Sequence, residues 1–105
     1  MKWVEFLKWL LPAIEKFPKK VRFTFSDRII TLAVDVVEDL VEARYSTQKM
    51  LILKRADLRL EKLRVLLRLT HQLGYLPHAG YEHAAKSVNE VGKMLGGWLR
   101  QQGEK

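Results

Sequence analysis

The sequence predicts an all-α protein, an antiparallel up-down-up-down bundle of four helices. Apolar residues recur at intervals of three and four through four segments, short turn-forming stretches separate these segments, and no stretch has the strict alternation of a strand. Helices joined by short loops pack beside their neighbours in the sequence. We therefore expect one domain over residues 1–105, with helices at about 2–17, 24–45, 49–73 and 77–101.

The first two helices are predicted on either side of a short basic connector. Helix one has its apolar residues at helical spacing: Trp3, Phe6, Leu7, Leu10, Ile14 and Phe17. Pro12 lies inside this run and is expected to kink the helix or to set its true start. The segment TFSD at 24–27 has the form of a capping box, which predicts the start of helix two. Helix two then has an acidic outer face made by Asp35, Glu38, Asp39 and Glu42.

Turn-forming residues limit helices three and four. Ser46 to Gln48 is predicted as the turn before helix three. Gly74 is a favourable residue after a helix end, and Pro77 suits the first turn of helix four. Gly92 and Gly96 lie four residues apart within helix four, where each glycine costs about 1 kcal/mol relative to alanine. This spacing indicates a close helix crossing, with a weak helix end as the alternative.

Helix three has more apolar surface than a single core-facing stripe. With 100° per residue counted from Arg55, one apolar arc (Leu58, Val65, Leu69) falls at about 280–320°. The other arc, formed by Leu60, Leu63 and Leu67, falls at about 80–140°. Two basic strips separate the arcs, so that one arc can face the bundle and the other needs a second surface. Long arginines that extend their charges to water over one wide apolar face are the alternative.

Self-association accounts for the extra apolar surface, and a few residues are the best candidates for it. The predicted oligomer interface consists of Leu60, Leu67, Gly92, Gly96 and Trp98.

The positive charge is concentrated near helix three. The chain has a net charge of +7, and residues 46–76 contain seven basic and two acidic side chains. Such an excess favours a polyanion, an anionic membrane surface or an acidic protein as partner, and arginine suits bidentate contacts to phosphate. The predicted nucleic-acid-binding residues are Lys19, Lys20, Arg22, Arg55, Arg59, Lys62, Arg64 and Arg68. A solvated face, or pairing with the carboxylates of helix two, is the alternative.

No pattern in the sequence indicates an enzyme, a metal site or a cofactor. The absence of cysteine excludes disulfides and thiolate chemistry, and it favours a reducing compartment. His71, His78 and His83 lack metal-site spacing, and no glycine-rich phosphate loop is present. Glu5 and Lys8 interrupt the apolar start of the chain, and no run approaches the roughly 20 apolar residues of a membrane span. We therefore expect a cytoplasmic protein.

Four segments of the chain resemble the accessory variability determinant proteins of diversity-generating retroelements. They are FPKKVRFTFSDRI (17–29), KLRVLLRLTHQLGYL (62–76), YEHAAKSVNEVG (81–92) and MLGGWLR (94–100). A sister group, the four-helix proteins encoded in intervening sequences of 23S ribosomal RNA genes, is similar. The chain departs from the family pattern at Pro77 and His78, where similar proteins often carry a serine-type cap.

The resemblance implies a fold, an assembly and partners. The expected protomer is a four-helix bundle that forms a homopentameric barrel. The expected partners are the retroelement's reverse transcriptase and its template-repeat RNA or cDNA, in the process of mutagenic retrohoming, with catalysis left to the reverse transcriptase. By position, Arg64, Arg68 and the block ending in Trp98 match the family. The alternative is an oligomeric scaffold of the intervening-sequence type that docks an acidic protein partner.

Overall fold

The structure, a computed structural model, describes residues 1–103, so residues 104–105 of the predicted domain lie outside the described part. Four helices form the fold: α1 (Lys2–Glu15), α2 (Asp27–Tyr45), α3 (Lys49–Gln72) and α4 (His78–Gly103). The described residues contain no strand, which confirms the all-α prediction. No helix within residues 1–103 has both the length and the hydropathy that are needed to cross a bilayer.

The helices alternate in direction around one core. The starts of α1 and α3 line the same cavity as the ends of α2 and α4, so consecutive helices run in opposite directions. Helix α3 contacts α2 and α4, and α1 contacts the same two helices from the other side. The core contains side chains from all four helices, and the Trp3 indole N–H donates a buried hydrogen bond to the Ala33 carbonyl over 2.9 Å. The result is an elongated bundle of 46 × 22 × 20 Å.

The connector between α1 and α2 is helical, and the predicted capping box is wrong. A 3₁₀ turn at Lys19–Val21 passes into a π-helical turn at Arg22–Ser26, which continues into α2. Ser26 at the start of α2 already has helical dihedral angles and makes no capping hydrogen bond through its side chain. The buried side chains of Val21 and Phe25 explain the difference, because their packing into the core holds this segment in a helical conformation. Tertiary packing therefore overrides a local capping signal.

The limits of the other helices follow the prediction within a few residues. Helix α1 begins at Lys2 and continues through Pro12, so the proline does not mark the helix start. Gly74 has a φ of 84°, the left-handed conformation that a glycine after a helix end supplies. Pro77 lies just before the first residue of α4, not within its first turn, and its carbonyl accepts a hydrogen bond from the Tyr81 N–H over 2.9 Å.

Candidate nucleic-acid interface

One basic strip of α3 is neutralised by α2. We define the α2/α3 seam by Arg55 and Arg59 together with their acidic partners Asp35, Asp39 and Glu42. The Arg55 Nε donates to Asp39 Oδ1 over 3.0 Å, and the Arg55 Nη2 donates to Glu42 Oε1 over 3.0 Å. Arg59 donates to the other oxygen of Asp39 and lies 3.8 Å from Asp35. The hydrogen bonds and charges of Asp39 and Glu42 raise the pKa of Arg55 above its ordinary value.

The α2/α3 seam is a structural network. The Asp39 residue is only 2% exposed, so its carboxylate depends on the two guanidinium groups for its hydrogen bonds. In the structure, Arg55 and Arg59 pair with the carboxylates of α2, which is the alternative that the sequence left open. We therefore leave both arginines out of the binding surface.

The other basic strip of α3 faces α4. We define the α3/α4 seam by Arg64, Arg68, Lys93 and Arg100 around the helix surface at Asn89, Gly92 and Gly96. Arg64 and Arg68 line a small depression with Tyr81 and Asn89. A shallow groove over the two glycines continues from it and is lined by Arg64, Lys93 and Arg100. Arg64 and Asn89 belong to both, so the basic side chains follow one continuous track along the bundle.

Arg64 is held against α4 by contacts that depend on Gly92. Its Nε donates to Asn89 Oδ1 over 3.1 Å, and its Nη1 donates to Glu61 Oε2 over 2.6 Å. A Cβ atom added at Gly92 would lie 2.5 Å from Arg64 Nη2, so the guanidinium occupies the space that the glycine leaves. Arg100 lies one helical turn further along, with Nη1 3.7 Å from the position of a Cβ at Gly96. Both guanidinium groups therefore lie close to the backbone of α4.

The α3/α4 seam has little acidic compensation. Among residues 1–103, no carboxylate lies within 4 Å of a charged nitrogen of Arg68, Lys93 or Arg100. Arg64 has one acidic partner, Glu61, whose side chain is 62% exposed and screened by water. Within residues 1–103, the α3/α4 seam therefore presents three cationic side chains without a carboxylate partner, Arg68, Lys93 and Arg100.

The remaining predicted basic residues lie elsewhere. Lys62 is exposed beside an apolar trough between α2 and α3, which Leu32, Leu58, Val65 and Leu66 line. Lys19, Lys20 and Arg22 are exposed on the helical connector between α1 and α2. None of these four residues lines the α3/α4 seam.

The predicted oligomer interface needs correction on α3. Leu60 and Leu67 are 0% and 1% exposed in the single chain, where they pack in its core and offer no surface to a second copy. The leftover apolar arc is the opposite one, which holds Leu58, Val65 and Leu69 at exposures of 56%, 53% and 38%. The angles on a helix separate two arcs, but they do not say which arc the other helices cover.

The interface residues predicted on α4 are placed in three different settings. The surface of Gly92 is covered by Arg64 of the same chain, so it is not free for a close crossing by another helix. Gly96 is half-buried on the floor of the basic groove. Trp98 is partly exposed and lines a cavity at the end of the bundle.

Sequence reasoning missed two members of the seam, Lys93 and Arg100. They are seven residues apart, which places them on the same face of α4, and they alternate with the glycines at positions 92 and 96. This shared face was a signal available in the sequence. Its significance depends on Arg64 reaching across from α3, which the sequence does not show.

The histidines do not assemble into a metal site in the described residues. The turn at Gly74 brings the rings of His71 and His78 to 5.5 Å between centroids, and His78 lies 2.7 Å from Glu82. Within residues 1–103, no group of three or more histidine, aspartate or glutamate residues has an arrangement that suits a metal ion.

Comparison with known proteins gives one finding. A family model described as bAvd-like matches residues 1–102, which is nearly the whole chain. No curated protein and no solved structure matches the chain.

Proposed function

The chain belongs to the bAvd-like family, and we propose that it is a non-enzymatic accessory protein of a diversity-generating retroelement that binds nucleic acid and the reverse transcriptase. The observation that carries the nucleic-acid part is the α3/α4 seam, where several cations line one groove with little acidic compensation. In this proposal the reverse transcriptase performs the chemistry of mutagenic retrohoming. The accessory protein holds the template-repeat RNA or the cDNA close to it.

The α3/α4 seam suits a phosphate backbone better than base edges. Arg64 is oriented by Asn89, and arginine forms two parallel hydrogen bonds with phosphate oxygens. The four-helix architecture of residues 1–103 matches none of the common modules that insert a recognition helix or a sheet of aromatic residues against bases. Binding through phosphates depends on the release of counterions, so the affinity should fall steeply with salt.

We propose that copies of the chain assemble through the outer apolar arc of α3. Leu58, Val65 and Leu69 lie along one side of the helix, and Leu51, at 64% exposure, extends the same arc towards the start of α3. Contact with a neighbouring copy would remove this apolar surface from water. The number five comes from the family resemblance, and five copies would carry a total charge of about +35, from five times +7.

The test of nucleic-acid binding is a titration of labelled, structured template-repeat RNA at several salt concentrations. The logarithm of the binding constant should decrease linearly with the logarithm of the salt concentration. Negligible binding at low salt would contradict the proposal. In that case, binding to an acidic protein partner would favour the scaffold function of the intervening-sequence type.

The assembly and the partnership need separate measurements. Sedimentation velocity at micromolar concentration should give one species with the mass of five chains, and a monomer would contradict the barrel. The protein should also retain the reverse transcriptase in a pull-down after nuclease treatment. A complex that the nuclease destroys would mean that RNA, and not a protein contact, links the two.

A further inference from the structure

A cavity of about 480 Å³ lies at the end of the bundle where α1 and α3 begin and α2 and α4 end. Its volume falls in the range of small-molecule sites. The apolar part of its wall includes Leu40, Leu53, Val91, Met94 and Trp98. It is separate from the α3/α4 seam, whose lining it does not share.

Among residues 1–103, the charged side chains that line the cavity are all cationic: Lys2, Arg44 and Lys49. The amides of Gln101 and Gln102 add polar groups at the wall. The Lys49 ammonium donates to the carbonyls of Ala43 and Arg44 over 2.8 and 3.2 Å, which fixes it at the end of α2. Among residues 1–103, neither Lys2 nor Arg44 has a carboxylate within 4 Å. The cavity therefore suits a ligand with an apolar body and an attached negative charge.

Two large apolar side chains in the cavity wall remain partly open to solvent. Trp98 is 38% exposed and Met94 is 40% exposed, although both belong to the last turns of a helix packed in the bundle. An indole that is half open at a cavity wall can stack against a flat aromatic ring, and every nucleobase has such a face. Amide side chains can in addition form hydrogen bonds with the edge of an unpaired base.

We propose that this cavity receives an unpaired nucleobase of single-stranded nucleic acid. The base stacks on Trp98, and a phosphate next to it lies against Arg44 and Lys2. This inference rests on the proposed nucleic-acid binding and adds to it a preference for single strands, because a base within a duplex cannot enter the cavity. The seam binds phosphates of either form, whereas the cavity selects strands with exposed bases.

The experiment compares two single-stranded RNA oligonucleotides of equal length and equal phosphate number, one with all its bases and one abasic in its central part. Base stacking on an aromatic side chain contributes about 5- to 150-fold in affinity per base. Trp98→Ala should therefore weaken binding of the base-bearing oligonucleotide by about tenfold and leave binding of the abasic one unchanged. Trp98→Phe keeps an aromatic face and should retain most of the affinity. Phe23→Ala, which removes a 79% exposed aromatic ring from the connector at the opposite end of the bundle, is the control.

Tryptophan fluorescence gives a second readout that does not depend on the alanine variant folding. The base-bearing oligonucleotide should quench the fluorescence of the unmodified protein, and the abasic one should not. Trp98→Phe should remove most of the quenching, because Trp3, which also lines the cavity, is only 1% exposed. Unchanged affinity in Trp98→Ala, or an equal loss for both oligonucleotides, would overturn the inference while the proposed function stands. Quenching by an acidic peptide with an apolar anchor, but not by RNA, would assign the cavity to a protein partner instead. Failure of the unmodified protein to bind any RNA would overturn the proposed function itself.

Discussion

The two seams of α3 carry the same kind of residue and differ in what the neighbouring helix presents to it. On the α2 side, Arg55 and Arg59 meet Asp39, Glu42 and Asp35. On the α4 side, Arg64 meets the amide of Asn89 and the bare backbone at Gly92. An arginine-rich helix therefore has no single role. The residues of the helix packed beside it decide which arginines hold the fold together and which remain for a ligand.

Burial explains why the contacts of the two seams differ in the free energy that is needed to break them. Asp39 is almost fully buried, so loss of its partners would leave an uncompensated charge in the bundle. The Arg64–Glu61 pair lies within one helix at the surface, where such pairs contribute about 0–1 kcal/mol. Removal of one partner from the α2/α3 seam should therefore be costly, while the surface contacts of the α3/α4 seam can be broken at little cost.

The largest expected effect comes from reversing two charges of the α3/α4 seam. Arg64→Glu combined with Arg68→Glu should weaken RNA binding by about 100-fold at roughly 0.1 M salt, because each lost phosphate contact costs about eightfold and the new charges repel the strand. The matched control is Lys8→Glu with Lys16→Glu, which changes the net charge by the same amount on exposed residues in and just after α1, outside the seam and away from the proposed assembly face. Equal losses in both double variants would mean that total charge, and not the seam, governs binding.

The second prediction concerns the two residues that the sequence did not single out. Lys93→Gln with Arg100→Gln should lower the RNA affinity by about 60-fold at roughly 0.1 M salt and reduce the salt slope by about 2. The measurement is the same titration at four salt concentrations. An unchanged salt slope would mean that Lys93 and Arg100 of α4 do not contact phosphates and that only Arg64 and Arg68 of this seam do.

A third change tests the structural role of the α2/α3 seam. Asp39→Ala should lower the free energy of unfolding by about 2 kcal/mol, because it leaves two guanidinium groups without their shared buried acceptor. Glu61→Ala, which removes the acid of the other seam, should change it by less than about 0.5 kcal/mol. Urea denaturation measures both values. Asp39→Ala should also raise the RNA affinity slightly at low salt, because it removes one negative charge beside Arg55 and Arg59, which keep Glu42 and Asp35 as acidic neighbours. A folded variant with unchanged affinity would contradict this expected gain.

The smallest expected effect separates the two glycines. Gly92→Ala places a methyl group where the Arg64 guanidinium lies and should reduce RNA affinity by about threefold, less than the loss of a full phosphate contact. Gly96→Ala meets only an ordinary contact at 3.7 Å, so it should leave the affinity unchanged and add up to about 1 kcal/mol of helix stability. If the two alanine variants bind RNA equally, Arg64 is not positioned through Gly92.

The helix limits followed from local chemistry, while the connector did not. Gly74 ends α3 as predicted, because only the residues around a helix end determine whether a left-handed conformation is needed there. The segment TFSD carried an equally local signal, yet residues 22–26 form a π-helical turn. The burial of Val21 and Phe25 depends on residues that are distant in the sequence. The ring centroids of Phe25 and Tyr75, for example, lie 6.3 Å apart. A signal that concerns one helix end cannot report such a contact.

The sequence by itself determined four helices, their limits within a few residues, and a positive charge concentrated on α3. These properties depend on residues that are near each other in the chain, through the helical repeat of 3.6 residues and through turn residues. They can therefore be inferred from the sequence. Only the tertiary structure decided that Leu60 and Leu67 face inwards while Leu58 and Val65 face outwards, and that Asp39 neutralises Arg55 and Arg59. The physical reason is that the outcome for each face of α3 depends on which helix covers it, and that choice is made by the packing of the whole bundle.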